Sequence, residues 1–537
     1  MALRYFRAST FSIVALSHLL PTLSICSLLV VPHLIIVIQL FGPRSSDWLH
    51  IVEYLLPAYV LNTCEIVAGV LPISFFLGYV SAWCIGTFDF PGRNILKRAL
   101  MLPISVPTYV AAYAYYGMFG SAVVGKWGII FIFSVVLYPY IYLFCLAGFL
   151  RESRTLIETA RSLGSRTFDV FRRVQFPMSR PALISGLWLV CMDTVNDYGA
   201  VDFFGINTIT TGVFVVRENF DISESGRFCA WLLVLMLLIR GVEDWTRGKR
   251  SFSDGHNYVA RRRIRMGVVT GVVAVLALLV PIVAGFIIPA ISCLKWTVQF
   301  SNAADWKHAL EITLRTVLLA ASASVLVVCV GLYLSWSCRV RRDPLLHLLV
   351  RVCQTGYVVP GVVIGISVMT MLLAIDRVIV PIFSYFSMFS SSTFLYGTYF
   401  TLVFAYCVRF VAMSITACDA AFLRLGMLVH EAARSLGKSP LQALFLVEIP
   451  SIRPTLLIAF GLLFVELVKE LPLTMLLAPP DFGTLATLTH MHMKNEDIIV
   501  PAIYSSIIMS IGIFSSFLLW TRTGPETDNV SESRQNN

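Results

Sequence analysis

Between Arg7 and Arg44 the chain carries no Asp, Glu, Lys or Arg. An uncharged run of that length exceeds the roughly 7–15-residue core of a cleavable signal peptide. It is long enough for the ~20 apolar residues that cross a bilayer, so it reads as a retained first span. Composition says the same of the rest. Of 537 residues, 57% are hydrophobic and 13% charged, against about 25% charged in soluble domains, and mean hydropathy is +0.79. A soluble enzyme is excluded. Apolar runs between charged breaks predict twelve helices, at 11–40, 62–87, 99–120, 127–149, 181–200, 226–240, 266–290, 309–337, 352–374, 396–421, 455–477 and 498–520. The expected fold class is an all-α polytopic membrane protein.

The net charge of +10 could suggest nucleic acid, but the arginines lie in short runs between apolar segments. Segments 150–180 and 240–265 hold seven and eight Lys or Arg, whereas 201–226 holds only Arg217 and 478–497 only Lys494. That alternation is the positive-inside bias of a membrane protein, and it predicts an even number of spans with both termini in the cytoplasm. The twelve cysteines are scattered singly without C-x-x-C pairs or zinc spacing, so they read as small buried hydrophobes.

The polar interval near 241–265 divides the chain into a first membrane half, 1–240, and a second, 266–522, with a polar tail at 523–537. The halves repeat. ETARSLGSRTFDVFRRVQFPMSRPALISG at 158–186 returns as EAARSLGKSPLQALFLVEIPSIRPTLLIAFG at 431–461, at an offset of 273. Upstream, Pro107 and its neighbours match Pro360 and its neighbours at an offset of 253. Two copies of the same sense, each with an even number of spans, imply a parallel pseudo-two-fold about the membrane normal.

The repeated cytoplasmic element has the physical makings of a docking helix. Glu158 and Glu431 sit early, where a carboxylate favours a helix N-terminus. Ala160 and Ala433 permit close approach, and Gly164 and Gly437 can end the helix at positive φ. Pro177 and Pro450 are expected to close a second segment, with Pro181 and Pro454 in the first turn of the next span. A plain amphipathic connector would explain one copy, but not two at matched positions.

These two stretches resemble the EAA loops of permease subunits in bacterial ABC importers, where the loop docks on a pair of cytoplasmic ATPase subunits. Ala432 keeps the motif's first alanine, and Thr159 departs from it. The chain has no Walker A string; A-R-S-L-G-K-S-P at 433–440 lacks the first glycine. The resemblance therefore implies a permease that is not itself an enzyme, binds no cofactor, and relies on ATP used by a partner subunit. NDYGAVDFFGINTITTGVF at 196–214 and KELPLTMLLAPPDFGTLAT at 469–487 are similar to fused two-repeat iron(III) permeases. That likeness implies a multi-pass protein of the bacterial inner membrane fed by a periplasmic iron-binding protein. Fused permeases for thiamine share the architecture.

Asp193 and Asp197 lie in the fifth predicted span or at its outer end, and Glu466 and Glu470 stand at the equivalent positions of the eleventh. An ionisable group at membrane depth costs about 2.5 kcal/mol or more, so it faces a polar cavity or a partner. A spacing of four would put each pair on one helix face. Hard carboxylates suit Fe(III), and pairing with Lys469, Asn196 or backbone is the competing account. His490 and His492, between Met491 and Met493, suit softer metals and read as a polar external loop, with Arg217 and Asn219 as first-half counterparts. Trp48, Tyr54, Trp296 and Trp306 read as interfacial anchors. A proton-coupled secondary transporter is the rival class, and it offers no reason for the doubled loop.

Overall fold

The computed structural model describes residues 2–42, 46–150, 154–247, 264–303, 305–341, 343–357, 359–385, 393–495, 497 and 499–523. Most of the linker and the C-terminal tail lie outside them. Among the described residues the twelve apolar runs are largely helical, and regular strand pairing is confined to Phe88–Asp89 beside Ile264–Arg265. By length and composition, eight described helices can cross a membrane, or nine if a bent pair counts as one span. The other expected spans are helices that are shorter or more polar within the described residues, such as Phe176–Asn196, which carries Arg180 and Asp193.

The bent pair falls in the predicted span at 99–120, where Pro103 and Pro107 are expected to break helical hydrogen bonding. Arg93–Ser105 and Thr108–Val123 meet at 90°. Pro103 and Pro107 supply no N–H, and the residue before a proline is driven from helical angles. Val106 accordingly takes φ −96°, ψ 115°. The expected span at 352–374 is likewise interrupted: helix Pro344–Gln354 ends before Pro360, and Gly361–Tyr385 begins after it.

Prolines also shape the helices after the docking elements. Four π-turns, Ile51–Leu55, Phe171–Gln175, Val283–Ile287 and Leu444–Glu448, are each followed by an apolar residue and then Pro57, Pro177, Pro289 or Pro450. A proline ring collides with the carbonyl four residues back, and one wider turn moves that carbonyl aside. Pro177 and Pro450 therefore do not close a segment, contrary to expectation. The helix runs on from Thr167 to Asn196 and from Pro440 to Val468, with Pro181 and Pro454 inside it.

Packing yields two compact units, one of Met1–Ser45, Val216–Leu233 and Leu310–Thr487, the other of Ser46–Val215, Val234–Ala309 and Leu488–Asn537. Packing units and sequence repeats are different divisions of the chain. In the first unit the opening helix Ala2–Gln39 lies on second-half helices, where Thr22 Oγ1 donates to Tyr333 Oη at 3.1 Å. Trp336, Cys418, Phe422, Leu444 and Ile452 form a buried apolar cluster there. In the other unit, Leu56–Thr87 packs along Lys126–Leu150, which packs on Phe176–Asn196. Gly78 allows that approach, since a Cβ would stand 2.7 Å from the Tyr138 carbonyl oxygen. Trp48 is buried at 5% exposure, and the half-buried Trp296 packs edge-on against Tyr113. Tyr54 and Trp306 are exposed.

Candidate coupling and translocation site

Each docking element is a nine-residue helix, Arg154–Ser162 and Met427–Ser435. Both end alike. Gly164 and Gly437 take φ +81° and +83°. Gly164 N–H donates to Arg161 O at 2.9 Å and Ser165 N–H to Ala160 O at 3.1 Å. Gly437 N–H donates to Arg434 O at 3.0 Å and Lys438 N–H to Ala433 O at 3.2 Å. This is the Schellman pattern in both copies, and a left-handed residue is what closes it. Beside each glycine stands an exposed leucine, Leu163 at 80% and Leu436 at 82%. Ile157 and Ala433 turn inward, Ala160 is half-buried, and Glu158, Glu431 and Ala432 are exposed. One expectation needs correcting. Glu158 and Glu431 are the fifth residues of their helices, beyond the first turn, where the end charge of a helix has faded. Their outward position is the feature that remains.

The membrane acids also depart from the expected pattern. Asp193 is half-buried on Phe176–Asn196, but Asp197 lies past its end at ψ 131°. Glu466 is on Ile449–Val468 and bonded to Lys469 Nζ at 2.8 Å, but Glu470 follows that helix. Neither pair therefore shares one helix face. Asp197 and Glu470 instead cap the next short helix: Asp197 Oδ1 accepts from Ala200 N–H at 3.0 Å, and Glu470 Oε1 from Leu473 N–H at 3.2 Å. Ala200 and Leu473 keep the offset of 273. Each carboxylate also meets the start of a helix after a proline break. The Thr108 hydroxyl donates to Asp197 Oδ2. Gly361, the residue matching Thr108, leaves room for Arg409, whose Nη1 donates to Glu470 Oε1 at 2.5 Å. Asp193 and Asp197 belong to one compact unit, Glu466 and Glu470 to the other.

The segments beyond these caps fold as helices Ile209–Asn219 and Leu485–Lys494. Thr63 Oγ1 accepts from Ile209 N–H at 3.1 Å and Thr316 Oγ1 from Leu485 N–H at 2.9 Å. These threonines match at the offset of 253. Nothing in the sequence singles out Thr63 and Thr316; the helices they meet begin at T-x-x-T strings, 208–211 and 484–487. The helical register corrects the reading of the histidines. His490 and His492 lie on a helix, not an extended loop, and three extra residues before Thr484 make Phe214 and Val216 their counterparts. His490 is 0% exposed and within 2.8 Å of Asp202 Oδ2, which Lys494 Nζ approaches at 3.0 Å. His492 pairs with Asp497 at 3.1 Å. Among the described residues no three His, Cys, Asp or Glu side chains gather as a metal-binding group.

An all-α, multi-pass architecture with a duplicated loop helix and matched helix breaks is that of a membrane protein built from two repeats. The profile of the binding-protein-dependent transport system inner membrane component family matches residues 74–242 and again 327–527. The chain belongs to that family, the permeases of ABC transporters, and is a multi-pass inner-membrane protein. It is 25% identical over 488 residues to the Fe(3+)-transport system permease protein FbpB 2 of Haemophilus influenzae, covering 89% of this chain and 90% of that one. It is 26% identical over 260 residues to the sulfate transport system permease protein CysW of Escherichia coli K12, covering 43% of this chain and 88% of that one.

Proposed function

We propose that this chain is the permease of an ATP-driven importer that carries ferric iron from the periplasm to the cytoplasm. Two cytoplasmic ATPase subunits dock on its two loops, and a periplasmic iron-binding protein delivers the ion. The observation that carries the docking role is the exposed leucine beside a left-handed glycine in each copy, Leu163 with Gly164 and Leu436 with Gly437. A rigid apolar knob is costly to leave in water and fits a cleft on a partner. Glu158, Ala160, Glu431, Ala432 and Ala433 complete the docking surface. Closure of the ATPases drives transport only by favouring one state of the permease over another, and the loops are where that difference enters.

Likeness to an iron(III) permease along 89% of this chain supports the substrate. Asp193, Asp197, Glu466 and Glu470 are proposed as the acids of the route. Asp193 and Glu466 meet the passing cation, and the capping acids Asp197 and Glu470 hold the helix breaks beside it. Uptake of radiolabelled Fe(III), in cells expressing the chain with its neighbouring ATPase and binding protein, tests the reading. Uptake should vanish on ATP depletion and persist with a protonophore. The reverse result makes the chain a proton-coupled transporter, and ATP-dependent uptake of radiolabelled sulfate or thiamine in place of iron overturns the substrate.

A further inference from the structure

The two docking helices rest on chemically unlike seats. In the first half the inward residue is Ile157, and the helix that follows carries Gln175, itself buried. Gln175 accepts from Trp83 Nε1 at 3.2 Å and donates to Thr87 Oγ1 at 3.4 Å. Gly86 rests against Phe149, where a Cβ would meet Phe149 Cβ at 2.8 Å. At the matching positions the second half has His430, Glu448, Arg339 and Phe422. Every one of these changes except the conserved phenylalanine adds an ionisable group.

Those groups are joined. His430 Nδ1 donates to Glu448 Oε1 across 3.1 Å, and Glu448 is 0% exposed. Arg339 Nη2 lies 3.9 Å from the same oxygen. The Arg339 guanidinium stands 4.9 Å over the Phe422 ring and donates through Nη1 to Phe422 O at 2.6 Å. Its Nη2 donates to Gly426 O. Gly426, at φ +74°, is the single residue between helix Tyr399–Leu425 and the docking helix Met427–Ser435. A carboxylate out of water costs several kcal/mol unless it is partnered, so it persists only where the partners are held in place. One carboxylate thus ties the docking helix, the entry to it, the end of Trp306–Val340 and the π-turn Leu444–Glu448 together. The side chain of Ile157 has no polar atom with which to make the equivalent tie.

We infer that Glu448 is a positioning residue for energy coupling: through His430 and Arg339 it clamps the second docking helix to the membrane helices, a tie that Ile157, at the position matching His430, cannot make. This deepens the docking reading and rests on it. The second loop transmits ATPase movement through this charged joint. The two loops of this chain are therefore not interchangeable.

Hydrogen exchange on the purified full chain tests the clamp without any partner. Glu448→Gln, the residue its own repeat carries, strands His430 and Arg339 and should speed exchange of the 430–435 amides about tenfold, with peptide 154–162 unchanged. The triple variant Arg339→Gly, His430→Ile, Glu448→Gln installs the first half's residues at all three positions, leaves no stranded charge, and should return exchange to within about threefold of the unaltered chain. Unchanged exchange in Glu448→Gln, or a triple variant no better than the single, overturns the inference. So does uniform unfolding of both variants, which makes the cluster a folding requirement.

The second readout is coupling, with the chain, its ATPase and its binding protein in liposomes and Fe(III) as probe. Glu448→Gln should raise ATP hydrolysed per ion delivered at least about threefold, because a loosened clamp wastes strokes. A merely structural residue would lower hydrolysis and uptake in proportion, and that result also overturns the positioning role. If the unaltered chain recruits no ATPase, the docking reading fails, while the exchange experiment still decides whether the clamp exists.

Discussion

Arg409 reaches Glu470 through space that only a glycine leaves open. Its Nη1 stands 2.5 Å from Glu470 Oε1, and a Cβ on Gly361 would come within 2.0 Å of that nitrogen. In the other half the corresponding carboxylate, Asp197, takes its bond from the Thr108 hydroxyl. The same helix break is thus held by an ion pair in one copy and a neutral donor in the other. Removing one partner of a buried pair costs about 3–5 kcal/mol, far more than losing a hydroxyl hydrogen bond at about 0.5–1.5 kcal/mol.

Gly361→Ala should therefore lower the thermal midpoint of the purified protein much more than Thr108→Ala. Arg409→Leu should match the Gly361→Ala loss, since both strand Glu470. Melting curves in detergent by intrinsic fluorescence decide it, and equal losses for Gly361→Ala and Thr108→Ala would refute the asymmetry.

Gly164→Val and Gly437→Val should each weaken ATPase association about tenfold while leaving membrane insertion intact. A left-handed φ costs a β-branched residue about 1–2 kcal/mol or more, and the Schellman bonds at Ala160 and Ala433 depend on that conformation. Co-purification with the ATPase measures it; full recovery from both variants would remove the docking assignment.

The acids separate into two pairs with different forecasts. Asp193→Asn with Glu466→Gln should cut Fe(III) uptake severalfold at normal expression, because the shape is kept and only charge is lost. Asp197→Asn with Glu470→Gln should instead reduce the amount of folded protein, since Arg409 loses its counter-charge at a cost of about 3–5 kcal/mol. Radiolabelled uptake normalised to folded protein distinguishes them. Near-normal uptake by the first double variant would return Asp193 and Glu466 to packing roles.

The arginine distribution supports the proposal that 150–180 and 423–454 face the cytoplasm and 201–225 and 478–497 the outside. Arg166→Cys in a cysteine-depleted chain should react with an impermeant maleimide only after the membrane is opened. Labelling in sealed cells would invert the orientation and exchange the faces assigned to ATPase and binding protein.

Apolar runs and repeated prolines were readable from residue order alone, because a bilayer demands about 20 uncharged residues and a proline removes its own N–H wherever it stands. The duplication was readable for the same local reason, as were the left-handed glycines. Which carboxylates were spoken for was not. Glu466 and Glu470 look alike in a string, yet one is half-buried beside Lys469 and the other is buried against Arg409, 61 residues earlier in the chain. The offset of 273 was carried too far, since three residues inserted before Thr484 shift every later pairing and turn His490 into a buried partner of Asp202, 288 residues away. The sequence by itself determined a membrane fold, a repeat and two matched loop helices, all properties of neighbours along the chain. Only the tertiary structure decided that the first helix packs with second-half helices and that Glu448 sits between His430 and Arg339. Those are contacts between distant segments, set by burial and charge pairing, and spacing along the chain does not encode them.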